Sequence, residues 1–467
     1  MQLYNTKTRT KQEFKAIQDK TVRIYSCGPT VYFSPHIGNM RAYVFVDILK
    51  KVLELDGFKV LDVMNITDVG HLTSDADDGE DKMEQSAKAQ GVNPSAIAKK
   101  YTDEFMRDCA KLNIRLPQII APATQYIKQM IDFIKKLEKK GFTYKTSDGI
   151  YFDSSRFPAY ADLSGAKIEG NRSGARIDFG EKRNSNDFAL WKFCGANVIQ
   201  KWPSPWGVGC PGWPLECSAI ALEHLGETFD IHTGGIDHIP IHHTNEIAQT
   251  EALTGKTMCN FWCHNEFMKV DGGKMSKSLG NMYTLTQLEQ RGYKPMAFRY
   301  FLLLAGYRSI LNFTFEALTA AQNAYNNLVS LLAKHCHSAN DFEEIQERSD
   351  EESLRRTWRE FKHELTDDLN TPKALAIIWN LLKEKPSKSI YNLIIKMDKT
   401  LSLDLKKAVK EHLSPEIIPE NIQTLAKNRL TAKQNKDWAT ADKLRKQIED
   451  IGWEILDTKD GYTIKKK

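Results

Sequence analysis

No stretch of this 467-residue chain is both long and apolar enough to cross a bilayer. The greasiest run, residues 301–305, falls far short of the ~20 residues a helical span needs. The first fifteen residues, MQLYNTKTRTKQEFK, also lack the apolar core of a signal peptide, so a cytoplasmic protein with no membrane partner is expected. Cysteine is sparse: eight residues are scattered without the dense spacing of secreted scaffolds, which reads as thiols or metal ligands rather than disulfides. Internal repeats and low-complexity tracts are missing, and so is the GxxxxGKS or GxxxxGKT phosphate loop, which excludes a P-loop nucleotidase. Charge of one sign is lacking as well, since 65 basic residues against 60 acidic leave only +5.

With 41% hydrophobic and 27% charged residues the chain has enough apolar material to fold, and its length asks for about three or four packing units of ~100–200 residues. The small charge excess is concentrated. Residues 421–467 hold 11 Lys or Arg and 7 Asp or Glu, 11 − 7 = +4, so the last tenth of the chain offers a surface that could meet phosphate or simply a solvated helix face.

The pattern of elements points to an open α/β sheet. TVRIYSC (21–27) predicts a strand, Gly28-Pro29-Thr30 a loop, and the helical spacing of Phe45, Leu49 and Val52 a helix from about Gly38 to Leu55 capped by Gly57. KVLDVMNIT predicts a strand buried on both faces, completing a right-handed βαβ unit. Ligands of such sheets sit beyond the carboxyl ends of the strands, so residues 27–39 and Thr67-Asp68 should face one crevice. Residues 116–203 read as an insertion, the parallel pattern resumes near 228–233, and long amphipathic helices follow Leu285. The acidic stretch 341–353 predicts an exposed loop or helix end. The tail predicts a helix (438–450) and a hairpin turning at Asp460-Gly461.

Three groups of residues could carry chemistry. Pro35-His36-Ile37-Gly38-Asn39 lies where the first strand hands over to a helix, so backbone N–H groups, His36 and Asn39 can offer donors to phosphate. Lys274-Met275-Ser276-Lys277-Ser278 follows Asp271-Gly272-Gly273, giving two ammonium groups on a glycine-hinged loop able to close over a polyphosphate. Cys27, Cys217, His242 and Glu246 are candidate metal ligands; His242 and Glu246 are four apart on a helix expected to begin near Pro240 and end at Gly255. Two thiolates, an imidazole and a carboxylate suit Zn²⁺. Cys259, Cys263 and His264 form a rival set, interrupted by Phe261 and Trp262, which look like packing residues.

HIGN and KMSKS about 240 residues apart resemble the paired signatures of class I aminoacyl-tRNA synthetases. With GPTVY (28–32), NITD (65–68), PGW and ECSA (211–219), GGID (234–237), HHTNEIAQ (242–249), KMSKSLGN and DDLNTP (367–372), the whole chain resembles the cysteinyl-tRNA synthetase family. The resemblance implies a Rossmann-like catalytic domain (1–115 and 204–285) with a connective insertion (116–203). A stem-contact or linker region (286–313), a helical bundle (314–415) and a small α+β anticodon-binding C-terminal domain (416–467) follow. It implies activation of L-cysteine with ATP and Mg²⁺, then transfer to cysteine tRNA. His36, Asn39, Lys274 and Lys277 would handle ATP; Gly28, Thr67, Trp213 and Asp237 would meet substrate; Cys27, Cys217, His242 and Glu246 would hold one Zn²⁺ that takes the substrate thiolate. A monomer is expected. A related cysteine ligase that acts on an amino sugar is the alternative, and it would need no anticodon reader.

Several positions depart from the family pattern: Thr244 stands where Glu is usual, Cys210 and Pro214 where Arg and His are common, and Phe33 follows Tyr32 where Asp often does. Cys210 adds a thiol near the site, so the assignment of Cys217 as ligand rests on the ECSA match. Shape alone separates cysteine from serine by only ~1–3 kcal/mol, whereas a metal that prefers thiolate can select at first binding, so no editing domain is expected. Four protein ligands would normally close a site; catalytic use requires a fifth position or a loosely held Glu246.

Overall fold

A computed structural model describes residues 1–69, 82–165, 181–195, 198–276, 279–336, 347–414, 418–458 and 461–466. The chain divides into two compact units, Met1–Lys406 and Lys407–Lys467, with the break ahead of the boundary at 416 expected from sequence.

The first unit is built on a five-stranded sheet. Its elements in chain order are β1 (Thr21–Ser26), α1 (Ile37–Leu55), β2 (Lys59–Ile66), β3 (Ile119–Pro122), α2 (Trp213–Leu225), β4 (Phe229–Gly235), α3 (Thr244–Thr254) and β5 (Cys259–Asn265). The spatial order is β5-β4-β1-β2-β3 and every pairing is parallel. β1 and β2 are largely buried, as strands covered on both faces must be. The expected β1-α1-β2 unit is present, with Gly57 at φ 101 just beyond the helix end. The insertion begins later than its sequence boundary: Ile119–Pro122 pairs with β2 as the sheet's edge strand, a four-residue run too short to stand out by periodicity.

The chain then leaves the sheet to form a separate antiparallel sheet of Thr143–Lys145, Gly149–Phe152, Phe188–Phe193 and Gly209–Pro211, packed around Trp191 and Phe152. After β5 comes a three-stranded sheet in the order Gly273–Lys274, Met268–Val270, Leu311–Phe313. Helices Phe315–Cys336, Glu347–Thr366, Thr371–Leu381 and Lys388–Leu401 follow, so part of the acidic stretch 341–353 is helical while 341–346 lies outside the described residues.

The buried Arg299 fastens this helical region to α1. It donates to Asp47 Oδ2 at 2.6 Å and to the carbonyls of Leu401 and Leu112, both at 2.8 Å. In the second unit, helices Glu420–Gln434 and Trp438–Asp450 pack on the hairpin Trp453–Thr458/Gly461–Lys466 around Ile422, Ala426, Ile448, Trp453 and Ile455. The hairpin's turn residues 459–460 lie outside the described residues. Part of the basic excess here is structural, since the buried Arg429 grips Asp457 through two bonds of 2.8 and 3.0 Å.

Candidate active site and metal centre

The carboxyl ends of β1, β2 and β4 meet at one crevice. Cys27 follows β1 directly and its N–H continues the pairing by donating to Thr233 O. The next residues run against β2: Thr67 N donates to Pro29 O and Val31 N to Thr67 O. Gly28 is a steric necessity at this crossing, because a Cβ there would stand 1.6 Å from Asn65 O. A polar chain lines the same wall. Gly28 N donates to Asn65 Oδ1 (2.7 Å), Asn65 Nδ2 to Thr67 Oγ1 (3.1 Å), and Thr67 Oγ1 to Glu216 Oε1 (2.6 Å). Burial pushes the Glu216 carboxyl up to about 8.

At the crevice floor four predicted ligands converge. Cys27, Cys217, His242 and Glu246 present donor atoms that all lie within 4.8 Å of one another. Cys217 Sγ is 3.5 Å from His242 Nε2, His242 Nε2 is 3.1 Å from Glu246 Oε1, and Cys27 Sγ is 3.9 Å from the same oxygen. Donors ~2.0–2.3 Å from a tetrahedral Zn²⁺ stand roughly 3.3–3.8 Å apart, so the cluster fits one ion of that size. Buried atoms without a hydrogen-bond partner gather here as well: Nδ1 of His232, His238 and His242, and Oε2 of Glu216.

Electrostatics favour a cation at this floor. Burial opposes the Cys27 thiolate, but the Cys217 hydrogen bond, the charge of His243 and hydrogen bonds from His238 and His242 outweigh it and hold the thiol well below its usual range. Cys217 moves the opposite way, raised by burial and by the neighbouring Cys27. Burial works against the His242 cation, yet hydrogen bonds to Cys27 and Glu246 lift it to about 10. Protons on Cys217 and His242 would therefore leave as an ion entered.

The local structure around His242 differs from expectation. The helix expected to begin near Pro240 does so, but it opens with a single π-helical turn, Ile239–His243, and becomes α-helical from Thr244. The wider turn leaves the Ile239 carbonyl for the Thr244 hydroxyl, which donates to it at 2.7 Å. Gly255, at φ 71, closes the helix as expected.

Sequence reasoning missed a second set of donors. Cys27 and Glu246 also group with His232 and His243. His232 lies in the middle of β4 and His243 beside His242; a histidine inside a strand buried on both faces was the available signal. His243 Nε2 is 3.3 Å from Cys27 Sγ and its Nδ1 is 2.7 Å from His264 Nε2, whose Nδ1 lies 2.8 Å from Thr6 Oγ1. The rival set is dispersed, since His264 belongs to this imidazole chain while Cys259 and Cys263 bond to the carbonyls of Phe261 and Tyr4.

Trp213 and His242 pack with ring centroids 4.3 Å apart, placing the indole on the rim of the cluster. Asp237 is exposed in the short turn after Gly234-Gly235.

The two signature segments meet at the start of α1. His36 and Asn39 form a capping box on α1: Asn39 N donates to His36 Nδ1 (3.3 Å) and His36 N to Asn39 Oδ1 (3.1 Å). The cap uses His36 Nδ1 and Asn39 Oδ1 as acceptors. Both residues line a cleft bordered by Pro29, Thr30, Ser34 and Met282. Ile37 N donates to Tyr283 O at 2.8 Å, and a Cβ on Gly38 would reach 3.4 Å from Met275 Cε. Lys274 ends the small sheet, and Asn281 braces the loop by bonding Ser276 N and Lys274 O. Lys277 and Ser278 lie outside the described residues.

Residues 13–323 match the family model for the class I (C) tRNA synthetase catalytic domain. Over 466 residues the chain is 44% identical to cysteine–tRNA ligase 1 of Burkholderia lata, covering 99% of this chain and 96% of that protein. It is 42% identical to the cysteine–tRNA ligase of Treponema denticola over 100% and 99% of the two chains. The chain belongs to the cysteine–tRNA ligase family.

Membership also accounts for the fold. A methionyl-tRNA synthetase from Mycobacterium tuberculosis, solved with methionyl-adenylate, superposes with a TM-score of 0.59 at 15% identity, covering 84% of this chain and 92% of that one. Among the described residues no helix is long and apolar enough to cross a membrane. The likeness to these cysteine–tRNA ligases runs through the C-terminal unit as well.

Proposed function

We propose that this protein activates L-cysteine with ATP to cysteinyl-adenylate and transfers the cysteinyl group to the 3′ end of cysteine tRNA. The observation that carries the reading is the two-thiol, imidazole and carboxylate cluster, whose donor atoms lie within 4.8 Å of one another and whose Cys27 opens the connection that ends at the His36-Asn39 cap of α1.

Cys27, Cys217, His242 and Glu246 would hold one Zn²⁺. Bound there, Zn²⁺ supplies a site that takes a thiolate far more readily than a hydroxyl. The remaining work belongs to the chain. Thr67 and Gly28 form the wall against which the substrate's amino and carboxyl groups are set, and Trp213 closes the rim. ATP enters with Mg²⁺; the α1 N-terminus with His36 and Asn39 receives phosphate, and Asp237 meets substrate. Lys274 and Lys277 offset the charge that develops on the departing pyrophosphate as the cysteine carboxylate attacks the α-phosphorus. Positioning and charge stabilisation carry the step, and no covalent enzyme intermediate is needed.

The second unit would read the anticodon. Its Trp438 is 60% exposed and available for base stacking, whereas Trp453, at 8%, is committed to the core. A cytoplasmic monomer is the expected setting. The test is charging of cysteine tRNA by the full chain and by a truncation ending at Lys406. The truncation should keep ATP–pyrophosphate exchange and lose charging; retained charging would overturn the anticodon role.

A further inference from the structure

Arg41 follows the HIGN segment by two residues, is 4% exposed, and directs its guanidinium entirely at backbone carbonyls. Nη1 donates to Glu266 O (2.9 Å) and Phe267 O (2.5 Å); Nη2 donates to Ser309 O (2.5 Å) and lies 3.3 and 3.4 Å from Gly306 O and Tyr307 O. These carbonyls sit immediately before Met268–Val270 and Leu311–Phe313, two strands that run parallel with Met268 opposite Leu311. The first strand turns at Asp271-Gly272 into Gly273–Lys274. One side chain of α1 thus grips the foot of the hairpin that delivers the Lys274 ammonium. The same helix holds the far end of that loop, through Ile37 N to Tyr283 O and the bridge between His36 and Thr284.

The gripped segment has two further holds. The Tyr307 ring stacks on Phe45 of α1 at 4.5 Å, and its hydroxyl donates to Asp368 Oδ1 at 2.7 Å. Asp368, in the DDLNTP segment, also receives Arg308 Nε and Nη2 and adopts φ 63. A planar guanidinium presents five donors in a rigid fork and so holds carbonyls of two chain segments in one fixed geometry, whereas an ammonium offers three donors on a flexible stem. A buried cation is costly unless its hydrogen bonds are met, so substituting it should disturb these carbonyls first.

We propose that Arg41 is a positioning residue: it sets the foot of the Lys274 hairpin against the helix end that receives ATP, and acts on cysteine activation through Lys274 without touching substrate. The proposal rests on the adenylation reading for its kinetic consequence, but its structural consequence can be measured alone.

The test compares full-length Arg41→Lys with wild type by hydrogen exchange and by ATP–pyrophosphate exchange. Amides of residues 268–274 and 311–313 should exchange about tenfold faster while those of the five-stranded sheet do not change. Turnover should fall about a hundredfold, with the KM for cysteine and the zinc content unaltered. Unchanged hairpin amides, or equal damage to cysteine binding and zinc content, would overturn the proposal. If Arg41→Lys does not fold, Tyr307→Phe removes one hold on the same segment and is read by the same two criteria, with a smaller effect. Absence of pyrophosphate exchange in wild type would sink the adenylation reading instead, leaving the hydrogen-exchange contrast to decide the role of Arg41.

Discussion

His232 Nε2 and Glu246 Oε2 stand 2.9 Å apart, while the other Glu246 oxygen faces His242 at 3.1 Å. The carboxylate is divided between a backing imidazole and the ligand cluster. His232 is itself fixed by stacking on Trp262, with centroids 4.5 Å apart and planes 16° from parallel. An outer partner of this kind orients a metal-ligating group and tunes its basicity.

His232→Ala should therefore weaken zinc binding by about 10- to 100-fold, the usual cost of losing such a partner. Competition with a chelator measures it. Unchanged affinity would mean that Glu246 needs no support, or that it is not a ligand.

Lys274→Ala should lower pyrophosphate exchange by about 10²- to 10³-fold, in the range seen when one preorganised charge-stabilising group is lost, and leave zinc content as it was. The structure puts Lys274 on a braced hairpin. Full activity in the variant would remove this lysine from the chemistry.

The two tryptophans of the second unit should separate cleanly. Trp453→Ala removes a core side chain and should cost about 3–5 kcal/mol in that unit, visible by thermal unfolding. Trp438→Ala should leave unfolding and pyrophosphate exchange alone and impair tRNA charging. An equal effect of both on stability would contradict the assignment of roles.

What could be read in the sequence divides along physical lines. The β1-α1-β2 unit and the carboxyl-end crevice were legible because a strand buried on both faces and a capped amphipathic helix leave strong patterns. The four clustered donors, Cys27, Cys217, His242 and Glu246, were legible through their residue types and the family's motifs. The π turn before Thr244 left no pattern, since a one-residue widening does not alter composition. At a helix start His36 and Asn39 suit both phosphate donation and capping, because both roles select the same polar residues, and the mutual cap is visible only in the structure. Arg41 looked like any helix arginine; its carbonyl partners lie more than 200 residues away in sequence.

The buried pair of Asp47 and Arg299 carries a pH prediction. Burial opposes ionisation of Asp47, but the charges of Arg299 and Lys51 prevail and hold its carboxyl below the ordinary range. A carboxyl lowered on folding adds stability that is complete above its unfolded pKa, ~3.9, and is lost as pH falls through the folded value. Asp47→Asn should cost about 3–5 kcal/mol at neutral pH by stranding Arg299, and should flatten the acid limb below pH ~4. Denaturant midpoints measured from pH 7 to pH 3 check both; an acid limb as steep as in wild type would show that Asp47 is not a principal source of it.

Selection of cysteine over serine is tested most directly by pyrophosphate exchange stimulated by each amino acid, before and after the transition ion is stripped from folded protein. With the ion present, cysteine should be preferred far beyond the roughly 10- to 200-fold that shape can supply. Stripping should remove that preference, and adding Zn²⁺ back should restore it. Stripped, folded protein that still chooses cysteine as strongly as before would contradict the account.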